Sequence, residues 1–298
     1  MSTTTASACA SRRTSSIPCG RPGACGARPS RLRPGRPRSG PLGKLPVITA
    51  AWAIVAGVLG ALIGSFLNVV IHRVPAGESV VSPGSRCPSC RYPLAPYDNV
   101  PVLSWLVLRG RCRHCGVSIS PRYPAVELLT AIIFAAIVIV RGADDDLAVE
   151  LPFAAILIAL AAIDLEHRIL PNRILLPAAI FGIAAAAVVH SSELPELLIA
   201  GAAGFTALLL VALAKPGGMM MGDVKLSGMM GLYLGLALVP ALLVAFLAGS
   251  LVGVGMIAAR GMAARKEAVP FGPFLALGAL VGLLAGDELV DLYSTTFL

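Results

Sequence analysis

Charged residues are scarce in this sequence. Only 13% of its 298 residues are Asp, Glu, Lys or Arg, whereas 56% are hydrophobic. Soluble domains carry roughly 25% charged residues because their surfaces must be solvated. Together with a mean hydropathy of +0.82, this shortage excludes an ordinary soluble protein. The composition predicts an integral membrane protein.

Acidic residues are absent from the first 44 positions, which hold nine of the 24 Lys and Arg residues. The rest of the chain carries 15 bases against 16 acids, so the net charge of +8 does not indicate a nucleic-acid partner. Residues 1–46 are rich in Arg, Pro, Gly and Ser and lack the ordered pattern of a secretory signal. We predict that this N-terminal segment is disordered. The alternative is that translation starts downstream of it.

Long apolar runs begin at residue 47. A membrane-spanning helix needs roughly 20 predominantly apolar residues. By that measure the sequence predicts an all-α polytopic membrane protein with about eight transmembrane helices, near residues 47–71, 125–140, 148–163, 174–189, 194–214, 226–239, 241–259 and 271–285. We divide the chain into the N-terminal segment (1–46), a region that combines the first span with a long polar loop (47–123), and a region that holds the other spans (124–298).

Basic residues mark the cytoplasmic ends of the predicted spans, because Lys and Arg accumulate in short cytoplasmic loops. They collect in the first, third, fifth and seventh loops, whereas the even loops are mainly acidic. This alternation places both chain ends outside, although the positive charge of residues 1–46 conflicts with that orientation. It also places Asp164, which ends the third span, and Asp223, which opens the sixth, on one cytoplasmic face.

Asp164 and Asp223 are candidate functional groups because each is an ionisable residue at the edge of an apolar run. When two carboxylates lie close together, one keeps a proton while the other activates a water molecule, as in aspartic proteases. Gly222 would permit a close approach beside Asp223. The alternative is that each acid is an ordinary interfacial residue, facing lipid headgroups in one case and favouring a helix dipole in the other.

Two CxxC pairs lie in the loop after the first span, Cys87-x-x-Cys90 and Cys112-x-x-Cys115. This spacing is typical of a structural zinc site, in which four thiolates leave no open coordination position. A reducing cytoplasmic compartment also disfavours disulfides. The alternative is two pairs of buried or redox-active thiols. Three further cysteines, Cys9, Cys19 and Cys25, lie in the N-terminal segment without regular spacing.

Several motifs in order resemble the type IV prepilin peptidases, the bifunctional leader peptidases and N-methyltransferases of bacterial type IV pilus and type II secretion systems. The resemblance spans about residues 48–285. Besides the two CxxC pairs it rests on Gly64-Ser65-Phe66-Leu67-Asn68, Arg122-Tyr123-Pro124-Ala125-Val126-Glu127, Asp164 with Leu170-Pro171-Asn172, Gly222-Asp223-Val224-Lys225 and Pro270-Phe271-Gly272-Pro273.

The resemblance implies a multi-pass aspartic peptidase of the GxGD type in the bacterial inner membrane, with Asp164 and Asp223 as the catalytic pair. Such enzymes cut the basic leader of a prepilin or pseudopilin on the cytoplasmic side, after a glycine. Members with the cysteine loop then methylate the new N-terminal amine with S-adenosylmethionine, so the four cysteines here favour the two-activity form. The spacing of residues identifies no methyl-donor site.

Position 220 departs from the family pattern, because the chain has Met220 where GxGD expects glycine. A side chain there is expected to narrow the substrate path or to alter the backbone beside Asp223. Two alternatives to a bifunctional enzyme are open. One is a peptidase that does not methylate. The other is a non-enzymatic membrane component, in which the zinc loop binds a cytoplasmic partner and the two acids form a proton or ion path.

Overall fold

The computed structural model of this chain describes residues 47–87, 89–189, 191–215, 219–261 and 269–297. The N-terminal segment, with its predicted disorder and three cysteines, lies outside the described residues. The described part is helical and contains no strand, which confirms the predicted all-α class. Its α-helices are α1 Val47–Arg73, α2 Leu103–Val107, α3 Arg122–Arg141, α4 Leu147–His167, α5 Asn172–Val189, α6 Leu194–Ala214, α7 Met221–Leu234, α8 Leu238–Arg260 and α9 Gly272–Phe297.

Helix α4 is the central helix of the bundle. It contacts α1, α3, α5, α7 and α9, and its apolar side chains Phe153, Leu157, Leu160 and Ile163 have no exposed surface. The helix ends one turn after Asp164, where Arg168 adopts a left-handed conformation (φ 54°) and donates its N–H to the Asp164 carbonyl at 2.9 Å. Pro171 then separates α4 from α5. Asp164 is therefore carried on the most buried helix, at its last turn.

Small residues allow neighbouring helices to pack closely. A Cβ atom built on Gly60 of α1 would lie 2.7 Å from the Thr130 carbonyl oxygen of α3. A Cβ atom on Gly231 of α7 would lie 2.5 Å from the Ala200 carbonyl oxygen of α6. Helix pairs in membranes commonly use small residues in this way, because lipid provides no hydrophobic force that drives helices together.

Polar contacts gather several helix ends at one end of the bundle, which we call the aspartate face. Arg122 at the start of α3 is ion-paired with Glu166 near the end of α4. Lys225 near the start of α7 donates a hydrogen bond to the Asn172 side chain at the start of α5, at 3.0 Å. The aspartate face thus comprises the ends of α1 and α4 and the starts of α3, α5, α7 and α9. The opposite end holds an ion pair between Arg141 and Glu150, at 2.7 Å.

By length and composition the structure gives fewer candidate spans than the eight that the sequence predicts. Within the described residues, six helical segments are long and apolar enough to cross a membrane, or seven if the bent pair Gly272–Gly286 and Glu288–Thr296 is one span. The difference lies in the 40-residue segment Met221–Arg260, which counts once where the sequence predicted two spans. Helix α7, with 14 residues, is about 21 Å long, less than the roughly 30 Å of a bilayer core.

Contacts with α9 nevertheless show that Met221–Arg260 reverses direction. Helix α9 starts beside Asp164, where the Gly272 N–H reaches the carboxylate, and further along it contacts Leu234 at the end of α7 through Gly282. Helix α8 then runs back, because Gly249 lies against Phe271 near the start of α9. The reversal occurs at Gly235, whose φ of 54° suits glycine. Both α7 and α8 therefore have one end towards the aspartate face.

Candidate active site and metal centre

Asp164 is buried, with 3% of its surface exposed. Its Oδ2 accepts a hydrogen bond of 2.9 Å from the backbone N–H of Gly272, the first residue of α9. A Cβ atom built on Gly272 would lie 2.7 Å from the same oxygen. The approach of α9 to this carboxylate therefore requires a residue without a side chain, which explains the glycine in Pro270-Phe271-Gly272-Pro273.

Asp223 lies in the first turn of α7 and is also buried, with 4% of its surface exposed. Its Oδ2 accepts a hydrogen bond of 3.4 Å from the N–H of Met220, and its own N–H donates to the Met220 carbonyl at 3.0 Å. Asp223 lies close enough to Asp164 for the two carboxyl groups to interact. The structure thus brings the two predicted acids together in a buried environment at the aspartate face.

Gly222 is contacted by Leu170 of the Leu170-Pro171-Asn172 motif. A Cβ atom built on Gly222 would lie 2.9 Å from the Leu170 Cβ. This confirms the prediction of a close approach beside Asp223, and it identifies the approaching group. The contact joins the segment after α4 to the start of α7, so it helps to set the separation of the two acids.

Met220 causes no backbone strain at the start of α7. Its φ of −87° and ψ of 147° are extended values that any residue adopts. Met220 is 54% exposed. The backbone at this position is therefore unstrained, and the expected effect of Met220 on the substrate path and on the backbone beside Asp223 stays a prediction.

The four predicted metal ligands converge in the cysteine loop, residues 74–121. Each of Cys87, Cys90, Cys112 and Cys115 is a free thiol, and the four sulfur atoms all lie within 4.8 Å of one another. The Cys87 and Cys115 sulfur atoms are 3.8 Å apart. In a tetrahedral site with Zn–S bonds of about 2.3 Å, neighbouring sulfurs are about 3.8 Å apart. The geometry therefore fits a four-thiolate metal ion.

The two CxxC segments have the same backbone structure, 25 positions apart. The N–H of Cys87 donates to the Tyr92 carbonyl at 3.0 Å, and the N–H of Cys112 donates to the Val117 carbonyl at 2.8 Å. The residue after each second cysteine is left-handed, Arg91 with φ 57° and Gly116 with φ 70°. Isolated bridges pair Arg86 with Pro93 and Arg111 with Ser118. Each segment thus presents two thiols from a tight turn towards the other.

The local environment shifts the pKa values of Cys87 and Cys115 in opposite directions. The backbone N–H of Cys90 lowers the pKa of Cys87 to about 6, so this thiol is ionised at neutral pH. The backbone N–H of Val117 lowers the pKa of Cys115, but loss of solvation and the neighbouring thiols outweigh it and raise the value to about 11. A bound cation would stabilise the thiolate form of Cys115, which the neighbouring thiols otherwise disfavour.

A cavity of about 790 Å³ lies between the end of α1, the cysteine loop and the start of α3. Asn68 on its wall donates a hydrogen bond of 3.0 Å to the Tyr123 carbonyl. Glu127, also on the wall, accepts a hydrogen bond of 2.7 Å from the Val102 N–H. The sequence interpretation missed Glu127 as a candidate, although a carboxylate inside the apolar run 125–140 is the kind of signal that singled out the two aspartates.

This fold and these groups define a helical membrane protein with two buried acids and a four-thiol loop. Residues 58–141 match the family model of the bacterial peptidase A24 N-terminal domain, and residues 151–258 match that of the type IV leader peptidase family. The chain belongs to the type IV leader peptidase family. The resemblance inferred from the motifs is thereby confirmed.

Three relatives named prepilin leader peptidase/N-methyltransferase illustrate the match. The protein from Myxococcus xanthus is 42% identical over 71% of this chain and 65% of its own length. The Aeromonas hydrophila protein is 35% identical over 80% of this chain and 92% of its own length. The Bacillus subtilis protein is 35% identical over 79% and 95%, respectively. Comparison with solved structures gave no significant match.

Proposed function

We propose that this chain cleaves the basic leader of a prepilin or pseudopilin and then methylates the new N-terminal amine. Family membership and the names of the relatives support both activities. The observation that carries the peptidase activity is the pair of buried carboxylates, Asp164 and Asp223, at one face of the bundle.

The proposed chemistry uses a water molecule between the two acids. One carboxylate takes a proton from this water as it attacks the scissile carbonyl. The other acid, still protonated, supports the developing oxyanion, and a proton then passes to the leaving amine. The shared proton belongs to the pair rather than to either residue. The N–H groups of Gly272 and Met220 hold the two carboxylates in position for these transfers.

The substrate would approach along the membrane. The apolar helix of a pilin is long enough to lie among the spans, which would bring its leader junction to the aspartate face. We infer that this face is cytoplasmic in the bacterial inner membrane, because the positive-inside pattern of the loops supports that orientation. The bilayer would then orient the substrate helix relative to the enzyme.

The cysteine loop would hold one structural zinc ion through Cys87, Cys90, Cys112 and Cys115. The sulfur spacing supports this metal, and four thiolates leave no position for a substrate. S-adenosylmethionine would be the second cofactor, supplying an electrophilic methyl group on a sulfonium. This chain contributes a cavity beside the loop that is large enough for such a molecule.

Replacing Gly272 by Ala tests how the first acid is held. The new methyl group would meet Asp164 Oδ2 at 2.7 Å, so either the carboxylate or α9 must shift. We expect leader cleavage to fall by about 10² -fold, since misplacement by about 1 Å can cost that much. Gly253→Ala on α8 is the matched control, because a Cβ atom there meets nothing within 4 Å. Wild-type cleavage by Gly272→Ala would contradict the proposed position of Asp164.

The proposed function is tested by producing the chain together with a prepilin in cells that lack their own leader peptidase. Mass spectrometry of the mature pilin should show cleavage after glycine and a terminal amine heavier by one methyl group. Cleavage without the added methyl would favour a peptidase alone. An uncut prepilin beside well-folded enzyme would contradict the proposal and favour a non-enzymatic membrane role.

A further inference from the structure

Helix α2 of the cysteine loop carries three exposed apolar side chains. Leu103 is 61% exposed, Leu106 57% and Val107 76%. In a helix, residues three and four positions apart lie on the same side, so these side chains form one continuous surface, which we call the α2 patch. Single exposed apolar residues are common on protein surfaces. A continuous apolar surface instead indicates a contact with a membrane or another molecule.

The opposite side of α2 is fixed to the rest of the cysteine loop. Trp105 donates a hydrogen bond of 3.1 Å from its Nε1 to the Ile119 carbonyl. Its ring also packs on Gly110, where a Cβ atom would lie 2.9 Å from Cζ2 of the ring. Ser104, Trp105 and Leu108 line the large cavity, whereas no residue of the α2 patch does. The patch is therefore held on the outer surface of the loop.

A hydrogen bond places the start of α2 at the depth of the membrane surface. The N–H of Val102, immediately before α2, donates to Glu127 Oε2 at 2.7 Å. Helix α3 has 20 residues with an arginine at each end, so it is about 30 Å long, the thickness of a bilayer core. Glu127 lies about 7.5 Å along this helix from Arg122. Interfacial helices bury their apolar face at a similar depth, about 5–10 Å into the boundary of headgroups and acyl chains.

Two arginines follow the α2 patch. Arg109 and Arg111 are both exposed, and neither forms an ion pair with another residue that the structure describes. Arg113 differs, because it is ion-paired with Asp98 at 2.7 Å. Arginine side chains at the edge of an apolar surface extend towards the polar headgroups, and cytoplasmic leaflets contain anionic lipids. The patch and its two free arginines thus match the apolar and anionic layers of such a leaflet.

We propose that α2 is an interfacial anchor that attaches the cysteine loop to the bilayer. The α2 patch inserts between the lipids of the leaflet at the aspartate face, and Arg109 and Arg111 contact anionic phosphate groups. The same positive charges would repel the basic leader of the proposed substrate, so charge favours lipid as the partner of this surface. The loop is already tethered at the end of α1 and the start of α3, and α2 provides a third attachment. Such an anchor needs neither of the two proposed activities.

The decisive experiment places a photoreactive benzophenone amino acid at Val107 of the full chain. The protein is inserted into nanodiscs of phosphatidylcholine and phosphatidylglycerol together with a prepilin. Illumination should attach lipid to the peptide that carries position 107, as detected by mass spectrometry. The matched control has the same amino acid at Ser104, on the opposite side of α2. There the probe would lie in the cavity, so lipid attachment should be lost.

Other crosslinking results would overturn the anchor. Attachment of Val107 to the prepilin or to a second copy of the chain, in place of lipid, would assign the α2 patch to a protein partner. Failure of Val107 to attach to lipid any more than Ser104 does would show that the patch faces water. Loss of leader cleavage by the wild-type chain in the same nanodiscs would instead contradict the proposed function and leave the anchor unaffected.

A second measurement tests the arginines through the kind of lipid that is attached at Val107. Arg111→Gln should lower the ratio of phosphatidylglycerol to phosphatidylcholine adducts by about fivefold, as expected when one basic residue near an anionic surface is lost. Arg113→Gln is the matched control, since it removes the same charge two positions away from a side chain that is already paired with Asp98. Its adduct ratio should equal that of the wild type. An unchanged ratio in Arg111→Gln would overturn the proposed contact with anionic lipid.

Discussion

Replacing Asp164 or Asp223 by Asn is expected to abolish leader cleavage, with a loss of at least about 10³ -fold in rate. An amide cannot take a proton from water or hold the shared proton. A positioned acid–base group typically contributes roughly 10²–10⁴-fold to the reaction rate. The variants should be assayed on a prepilin in the same membrane. The mass of the pilin's N-terminal peptide then reports cleavage directly.

Both variants should fold normally. The Asn side chain is isosteric with Asp, and its oxygen can still accept the hydrogen bond from Gly272 in one case and from Met220 in the other. Asp145→Asn is the matched control, because Asp145 is exposed in the loop between α3 and α4, at the opposite end of the bundle. Thermal unfolding in detergent should be similar for all three variants. Normal cleavage by either active-site variant would exclude the catalytic pair.

The double variant Asp164→Asn/Asp223→Asn tests whether the acids act as a unit. If they share one proton and one water molecule, removing the second acid should cost little more than removing the first, because such groups are strongly non-additive. Two independent contributions would multiply instead. A multiplicative loss would therefore contradict a shared mechanism even if both single variants were inactive.

The sequence could predict where the two acids lie along their helices, but not how they are held. Each acid is visible as a carboxylate at the edge of an apolar run, and the loop charges place both at one face. The hydrogen bond from Gly272 to Asp164 joins residues 108 positions apart, and no local pattern reports such a contact. The Leu170 side chain against Gly222 was likewise unpredictable, since it depends on how the segment after α4 packs on α7.

The difference between the predicted number of spans and the number counted by length and composition has a local cause. Leu236, Ala237 and Leu238, around the reversal between α7 and α8, are all apolar, so hydropathy alone marks no loop there. The reversal depends on the φ of Gly235 and on the packing of α9 against both helices. The sequence divided the apolar residues 226–259 into two runs but could not show that α7 is only 14 residues long.

Cysteine spacing predicted the cluster of four thiols because each CxxC turn is a local structure. The wall of the cavity could not be predicted in the same way. Glu127, Asn68 and the cysteine loop meet only when α1 and α3 pack as an antiparallel pair. The cavity thus depends on tertiary structure, whereas each CxxC pair is a local turn that the sequence shows directly.

The cysteine loop lacks a hydrophobic core of its own, so we expect its structure to depend on the proposed zinc ion. Among the described residues of 74–121, Cys87 and Cys112 are the only buried hydrophobic side chains. Binding of zinc to four such ligands contributes about 10–16 kcal/mol in small zinc domains, much of it as folding free energy. The loop should therefore be ordered only when metal is bound.

Cys112→Ser and Cys87→Ser are expected to reduce bound zinc from one ion per chain to a small fraction. Methylation should fall by at least about tenfold, because a disordered loop removes part of the cavity wall and second-shell losses alone cost roughly 10–100-fold. Leader cleavage should change by less than about threefold, since Asp164 and Asp223 are held by α4, α7 and α9 rather than by the loop. Metal analysis, together with the mass of the pilin N-terminus, measures all three quantities in one preparation.

Cys19→Ser is the control for this experiment, because it makes the same substitution outside the cysteine loop. It should retain zinc, cleavage and methylation. A wild-type protein with four free thiols and no metal would remove the zinc site. A metal-free Cys112→Ser protein that methylates at the wild-type rate would show that methyl transfer does not need an ordered cysteine loop. The part of the cavity wall that the loop forms would then not belong to the methyl-donor site.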